Sequence, residues 1–94
     1  MHIQVPYKHS KDKLDAYNRA KNIITSDYFS QWDVEVEIDC ADEHPRIIAQ
    51  GKGFRLQINF EETSCEAYVE LAFMLKPFKG KIEKVINKEL STKL

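Results

Sequence analysis

Apolar and polar residues alternate along this chain with the period of two that a half-buried strand requires. The clearest run places Trp32, Val34, Val36, Ile38 and Cys40 on one face and Asp33, Glu35, Glu37 and Asp39 on the other. Phe54, Leu56, Ile58 and Phe60 alternate with Arg55, Gln57 and Asn59. Cys65, Ala67, Val69, Leu71, Phe73 and Leu75 then make a last inward row. At the start, Ile3, Val5 and Tyr7 alternate with His2, Gln4 and Pro6; the proline puts this short strand at a sheet edge or ends it. A further short strand is predicted over Arg46 to Gln50. It lies between a loop at Ala41-Asp42-Glu43-His44-Pro45 and a tight turn or bulge at Gly51-Lys52-Gly53.

Two stretches carry the helical period instead. After Ser10, a reasonable N-cap, the residues Leu14, Ala16, Tyr17, Ala20, Ile23, Ile24 and Tyr28 fall on one half of a helical wheel. Lys11, Asp15, Asn18, Arg19, Asn22 and Ser26 fall on the other, and Asp15 and Arg19 form an i,i+4 pair worth ~0.3 kcal/mol. The C-terminal helix groups Phe78, Ile82, Val85, Ile86 and Leu90 within about 140° of arc. Lys81, Lys84 and Lys88 flank that stripe. Pro77 suits a first helical turn, and Gly80 marks a corner that would start the regular helix at Lys81. The order β-α-β-β-β(-β)-α predicts an α+β fold of two layers. An antiparallel sheet of four to five strands carries both helices on one face.

Length adds that residues 1–94 form a single domain. Hydrophobic residues are 43% and charged residues 31% of the chain, a globular rather than a disordered balance. No apolar run reaches the ~20 residues of a membrane span. The N-terminus lacks the basic-then-apolar order of a secretory signal, so a cytoplasmic location is expected. In that compartment Cys40 and Cys65 read as reduced thiols in apolar registers, a disulfide between them being the alternative. The formal charge of −1 argues against a dedicated nucleic-acid binder.

The candidate chemistry is sparse. His2, His9 and His44 have no metal-ligand spacing, and no cofactor motif is present. A thiol in an apolar register has a raised pKa and low reactivity, so neither cysteine reads as a nucleophile. Asp33, Glu35, Glu37 and Asp39, joined by Glu66 and Glu70, read as a water-facing row rather than a catalytic pair. Such a row also repels phosphate. Gly51 and Gly53 lie within a hairpin, not between a strand and a helix, so they are not a phosphate loop. What remains is a basic flank, Lys76, Lys79, Lys81, Lys84 and Lys88, fit to contact an anionic or lipid-like surface. With Phe78, Ile82 and Leu90 laid on the sheet, that contact would use lysines and rim residues. Tyr68 and Met74, apolar on an otherwise polar sheet face, suggest a homodimer contact.

The run Leu75-Lys76-Pro77-Phe78-Lys79-Gly80-Lys81-Ile82-Glu83 resembles the C-terminal signature of the polyhydroxyalkanoic acid system proteins. These are small bacterial proteins linked to polyester storage granules. A looser likeness covers nearly the whole chain: the first strand ending near His9, an Ala-containing helix, Trp32 before the second strand, and Gly51-Lys52-Gly53-Phe54 in the central hairpin. The acidic strand Asp33 to Asp39 departs from the pattern. The resemblance implies a non-enzymatic accessory role in polyhydroxyalkanoate metabolism, with the granule surface or a granule protein as partner and no catalytic residue to carry over. Two alternatives come from other classes. The element order also resembles ribosome hibernation factors, which bind RNA, although the acidic sheet and net charge oppose that. More loosely it resembles helix-grip folds, which hold a small apolar ligand between helix and sheet. Here Trp32, Phe54, Phe60 and Phe73 are expected to fill that space.

Overall fold

A computed structural model describes residues 2–25, 29–30 and 35–94. Five antiparallel strands form one sheet: β1 (His2–Pro6), β2 (Val36–Ala41), β3 (Arg46–Gly51), β4 (Phe54–Phe60) and β5 (Ser64–Leu71). Their spatial order is β1-β5-β4-β3-β2. Strands β2 to β5 thus form a meander, β1 pairs with the far side of β5, and helix α1 (Lys13–Ile23) stands between β1 at one edge and β2 at the other in chain order. A second helix, α2 (Lys79–Lys93), packs against β1 and α1. The α+β architecture expected from the order of elements is the one observed.

β4 is the centre of the sheet, and its alternation is complete: Phe54, Leu56, Ile58 and Phe60 are buried while the residues between them are half-exposed. Ile47 and Ala49 on β3, Cys65, Ala67 and Val69 on β5, and Ile3 and Val5 on β1 extend the same inner face. Onto it α1 lays Ala16, Tyr17 and Ala20, and α2 lays Ile82, Ile86 and Leu90. At about 1.5–3 kcal/mol for each fully buried large aliphatic or aromatic residue, this one cluster supplies the main stabilisation. Phe54 and Phe60 are in it, each edge-on to another ring: Phe54 to Phe29 at 5.3 Å and Phe60 to Tyr17 at 5.7 Å.

Local details depart from expectation where tertiary partners decide. The N-cap of α1 is Asp12, not Ser10: Asp12 Oδ1 accepts from the Asp15 N–H at 2.9 Å. Asp15 Oδ2 in turn accepts from the Lys11 N–H at 3.0 Å, a reciprocal arrangement like a capping box. That hydrogen bond, more than the neighbouring Arg19 guanidinium, holds the Asp15 carboxyl below its usual range. Ser10 is committed elsewhere. With Lys8 and His9 it donates its backbone N–H to the carbonyl of Leu94, at 2.7–3.1 Å, which ties the end of α2 to the β1–α1 connection. Leu94 itself is wholly buried. Leu14 is 52% exposed, because it stands at the open N-terminal end of α1.

The β3–β4 hairpin turns on Lys52-Gly53, and Gly53 takes φ 81°, a left-handed conformation that glycine adopts without penalty. Gly51 is required for a different reason: a Cβ there would collide with the backbone carbonyl of Glu35. At the β2 edge, Val36 and Ile38 are half-buried and Cys40 is exposed, so the thiol expected in the core is not there. Cys40 does stand opposite the buried Ile47. An edge strand, however, has neighbours on one side only, and burial fails at its end. Trp32, Asp33 and Val34 lie outside the described residues.

Candidate interaction surface

Strand β5 loses its partner where β4 begins, since Leu71 pairs with Phe54 and the Ala72 N–H makes a last bond to the Gly53 carbonyl at 2.8 Å. With no further strand to pair with, the chain leaves the sheet as a 3₁₀ turn, Phe73–Phe78, and enters α2 directly at Lys79. Pro77 lies inside that turn and Gly80 inside α2, with open space around it, so neither sits quite where its residue type alone suggested. The consequence is a projecting corner. Phe73 is 86% and Phe78 53% exposed, not buried as the alternation and the helical stripe predict. Sequence reasoning missed both as surface anchors. The available signals were Pro77 and the hairpin glycines that fix where β4 starts.

All five lysines of the basic flank are exposed. Lys76 is carried by the turn and Lys79 opens α2. Lys81, Lys84 and Lys88 span roughly 60° of the helix circumference, opposite the buried Ile82, Ile86 and Leu90. Among the described residues none of the five makes an ion pair; the pairs present are His2–Glu66, Lys13–Glu62 and Asp15–Arg19. Lys76 and Lys79 also line an open groove of about 370 Å³ with Val69, Glu70 and Leu71. The corner therefore combines two exposed rings, an apolar floor and unpaired ammonium groups, a combination suited to an anionic surface with an apolar interior.

The acidic row lies on the other side of the sheet. Glu37 and Asp39 on β2 and Glu70 on β5 are exposed, while Glu66 is half-exposed; Asp33 is outside the described residues. Glu66 accepts from the Tyr68 hydroxyl at 3.2 Å and lies 3.6 Å from His2 Nε2. His2 stacks on Tyr68 with ring centroids 4.8 Å apart. Tyr68 is thus already engaged within its own sheet face, and the Met74 side chain lies outside what the structure describes.

The remaining candidates have structural roles or none. Cys65 is wholly buried, and desolvation pushes its thiol up to about 12, which removes the thiolate needed for nucleophilic chemistry. Cys40 and Cys65 are both free and stand three strand spacings apart, about 14 Å, too far for a disulfide. The Tyr17 hydroxyl donates to Asp42 Oδ1 at 2.6 Å and is raised above its usual range by burial, then by that carboxylate. Among the described residues, no three His, Cys, Asp or Glu side chains converge in a metal-holding group, and no helix is long and apolar enough to cross a membrane.

No curated protein and no solved structure matches the chain significantly. Residues 3–94, from β1 through the buried Leu94, match the family described as "putative polyhydroxyalkanoic acid system protein". The match spans the whole fold, including the Phe73–Phe78 corner, and the chain belongs to that family.

Proposed function

We propose that this chain is a non-enzymatic accessory protein of polyhydroxyalkanoate metabolism that binds the surface of storage-polyester granules through the Phe73–Lys88 corner. The family supplies the metabolic setting. The observation that supports the contact is the exposure of Phe73 and Phe78 beside five lysines that form no ion pair among the described residues. A granule presents an apolar body, and an anionic shell around it would attract each lysine by about 1 kcal/mol near the surface. The overall charge of −1 does not oppose this, because screening confines the interaction to about 8–10 Å. The buried stripe of α2 stays on the sheet throughout, so only the turn and the outward lysines meet the granule.

Co-sedimentation of the purified protein with isolated granules and, separately, with ribosomes tests this across a salt series. Granule binding that weakens with salt, and is lost when Lys81, Lys84 and Lys88 become Glu, is the expected result. Binding to ribosomes alone, or granule binding indifferent to those changes at low salt, would overturn it.

A further inference from the structure

Around the β3–β4 hairpin, the outer face of the sheet contains a cationic group whose hydrogen bonds are incomplete. Arg55 is half-buried, and its Nε is covered yet has no hydrogen-bond partner. Among the described residues its guanidinium makes one side-chain hydrogen bond, a long one of 3.4 Å from Nη2 to Gln57 Oε1. Glu70 and Gln50 stand directly across from it on the two neighbouring strands, but Arg55 and Glu70 form no ion pair. A guanidinium left this way loses hydrogen bonds that a planar, two-oxygen acceptor would restore.

The surroundings provide room for one. Gln50, Gly51, Gly53, Arg55, Glu70 and Leu71 line an opening of about 360 Å³, and two glycines leave its wall low. Glu70 and Leu71 also line the groove that holds Lys76 and Lys79, so the two openings adjoin. Three cations therefore bracket a single carboxylate. At the lower end of ligand-pocket volumes, the space fits a short chain rather than a large cofactor. On the far side, beyond Gln50 and Gly51, lie Glu35 and Glu37, which would repel an anion and so keep it at the Arg55 end.

We propose that this opening binds a short hydroxyalkanoic acid, or the free acid end of a polyester chain. Its carboxylate would lie on the Arg55 guanidinium, its hydroxyl would donate to Glu70, and its alkyl part would run over Leu71 towards the lysine groove. The assignment of a hydroxy acid rests on the polyester setting proposed above. The need for a carboxylate rests on Arg55 itself. Because Nε is covered, a two-pronged contact to Nε and one Nη requires the Arg55 side chain to turn outward when the acid binds.

The test is a titration of the full chain with 3-hydroxyhexanoate and with hexanoate, followed by amide and arginine Nε–H resonances. Saturable shifts at Gln50, Gly51, Arg55 and Glu70 are expected, with hexanoate binding several-fold more weakly because it lacks the hydroxyl. Arg55→Lys keeps the charge but removes the fork, and should weaken binding about tenfold. Glu70→Gln should erase the preference for the hydroxy acid. Absence of saturable shifts, or wild-type affinity in Arg55→Lys, would overturn the proposal. Granule co-sedimentation of Arg55→Lys should match the wild type, so this site and the basic corner fail independently.

Discussion

Replacing both Phe73 and Phe78 by Ala tests the apolar half of the proposed contact. Full burial of a Phe side chain is worth about 1.5–3 kcal/mol. Scaled by the 86% and 53% now exposed, transfer of the two rings into an apolar phase contributes about 2–4 kcal/mol. That corresponds to about 30- to 700-fold in affinity, and half insertion leaves about 5- to 30-fold. The same substitutions also remove the part of each ring that the fold covers, worth about 1–2 kcal/mol on the same scale, most of it at Phe78, which caps α2 without a side-chain hydrogen bond. Granule co-sedimentation at fixed salt, paired with thermal unfolding, reads both quantities. Loss of at least about fivefold in binding, with the unfolding free energy lowered by no more than about 2 kcal/mol, is the expected result. Equal binding by wild type and the folded double variant would refute the corner as the contact.

Other outcomes follow from the core and its edges. Gly51→Ala drives a methyl group into the Glu35 carbonyl and should lower the unfolding free energy, read by chemical denaturation, by about 1–3 kcal/mol, within the range for forced overpacking. Leu90→Ala, at a wholly buried position, should cost about 2–5 kcal/mol in chemical denaturation. Tyr17→Phe, which deletes the donor to Asp42, should cost about 1 kcal/mol while leaving the ring contact with Phe60 intact. Cys65, Tyr7 and Tyr17 all hold their protons more tightly when folded, chiefly through desolvation. A raised folded pKa gives stability that is complete below the unfolded value, here 9.0 for the thiol, and lost as pH rises towards about 12. Cys65 alone should cost about 1.4 kcal/mol by pH 10, and Cys65→Ala should flatten that part of the alkaline decline in unfolding midpoint.

What could be read from the sequence divides along physical lines. Strict alternation at Phe54–Phe60 reports burial faithfully because β4 has a strand on each side and helices above, so every inward position finds a partner. The same pattern misleads at Cys40 and at Phe73. Cys40 lies at the end of an edge strand, and Phe73 lies two residues beyond the last pairing of β5. Periodicity encodes which face a residue would take in a strand, but not how far the neighbouring strand extends. The lysine flank was legible because charge on the outward arc of a helix needs no partner to be recognised. Its companions were not: Phe73 and Phe78 look like core residues until the corner turns them outward. Ser10 and Leu94 show the same dependence, since their shared hydrogen bond joins segments 84 residues apart.

The corner and the core arise from one constraint. The tight Lys52-Gly53 turn fixes the first residue of β4 at Phe54, and this ends β5 pairing at Leu71. The chain must then reverse before α2 can lay Ile82, Ile86 and Leu90 on the inner face, and Pro77, with no N–H to donate, suits a short turn rather than a longer helix. Residues in that reversal have no sheet to cover, so rings placed there remain in water at a continuing cost that a binding surface would remove. If the corner meets an anionic surface as proposed, Glu37, Asp39 and Glu66 on the outer face of the sheet would be repelled by it while Lys76 to Lys88 are drawn in. Attraction at one end and repulsion along the outer face would together select one orientation on that surface, with the corner towards it and the hairpin opening at Arg55 beside it rather than beneath it.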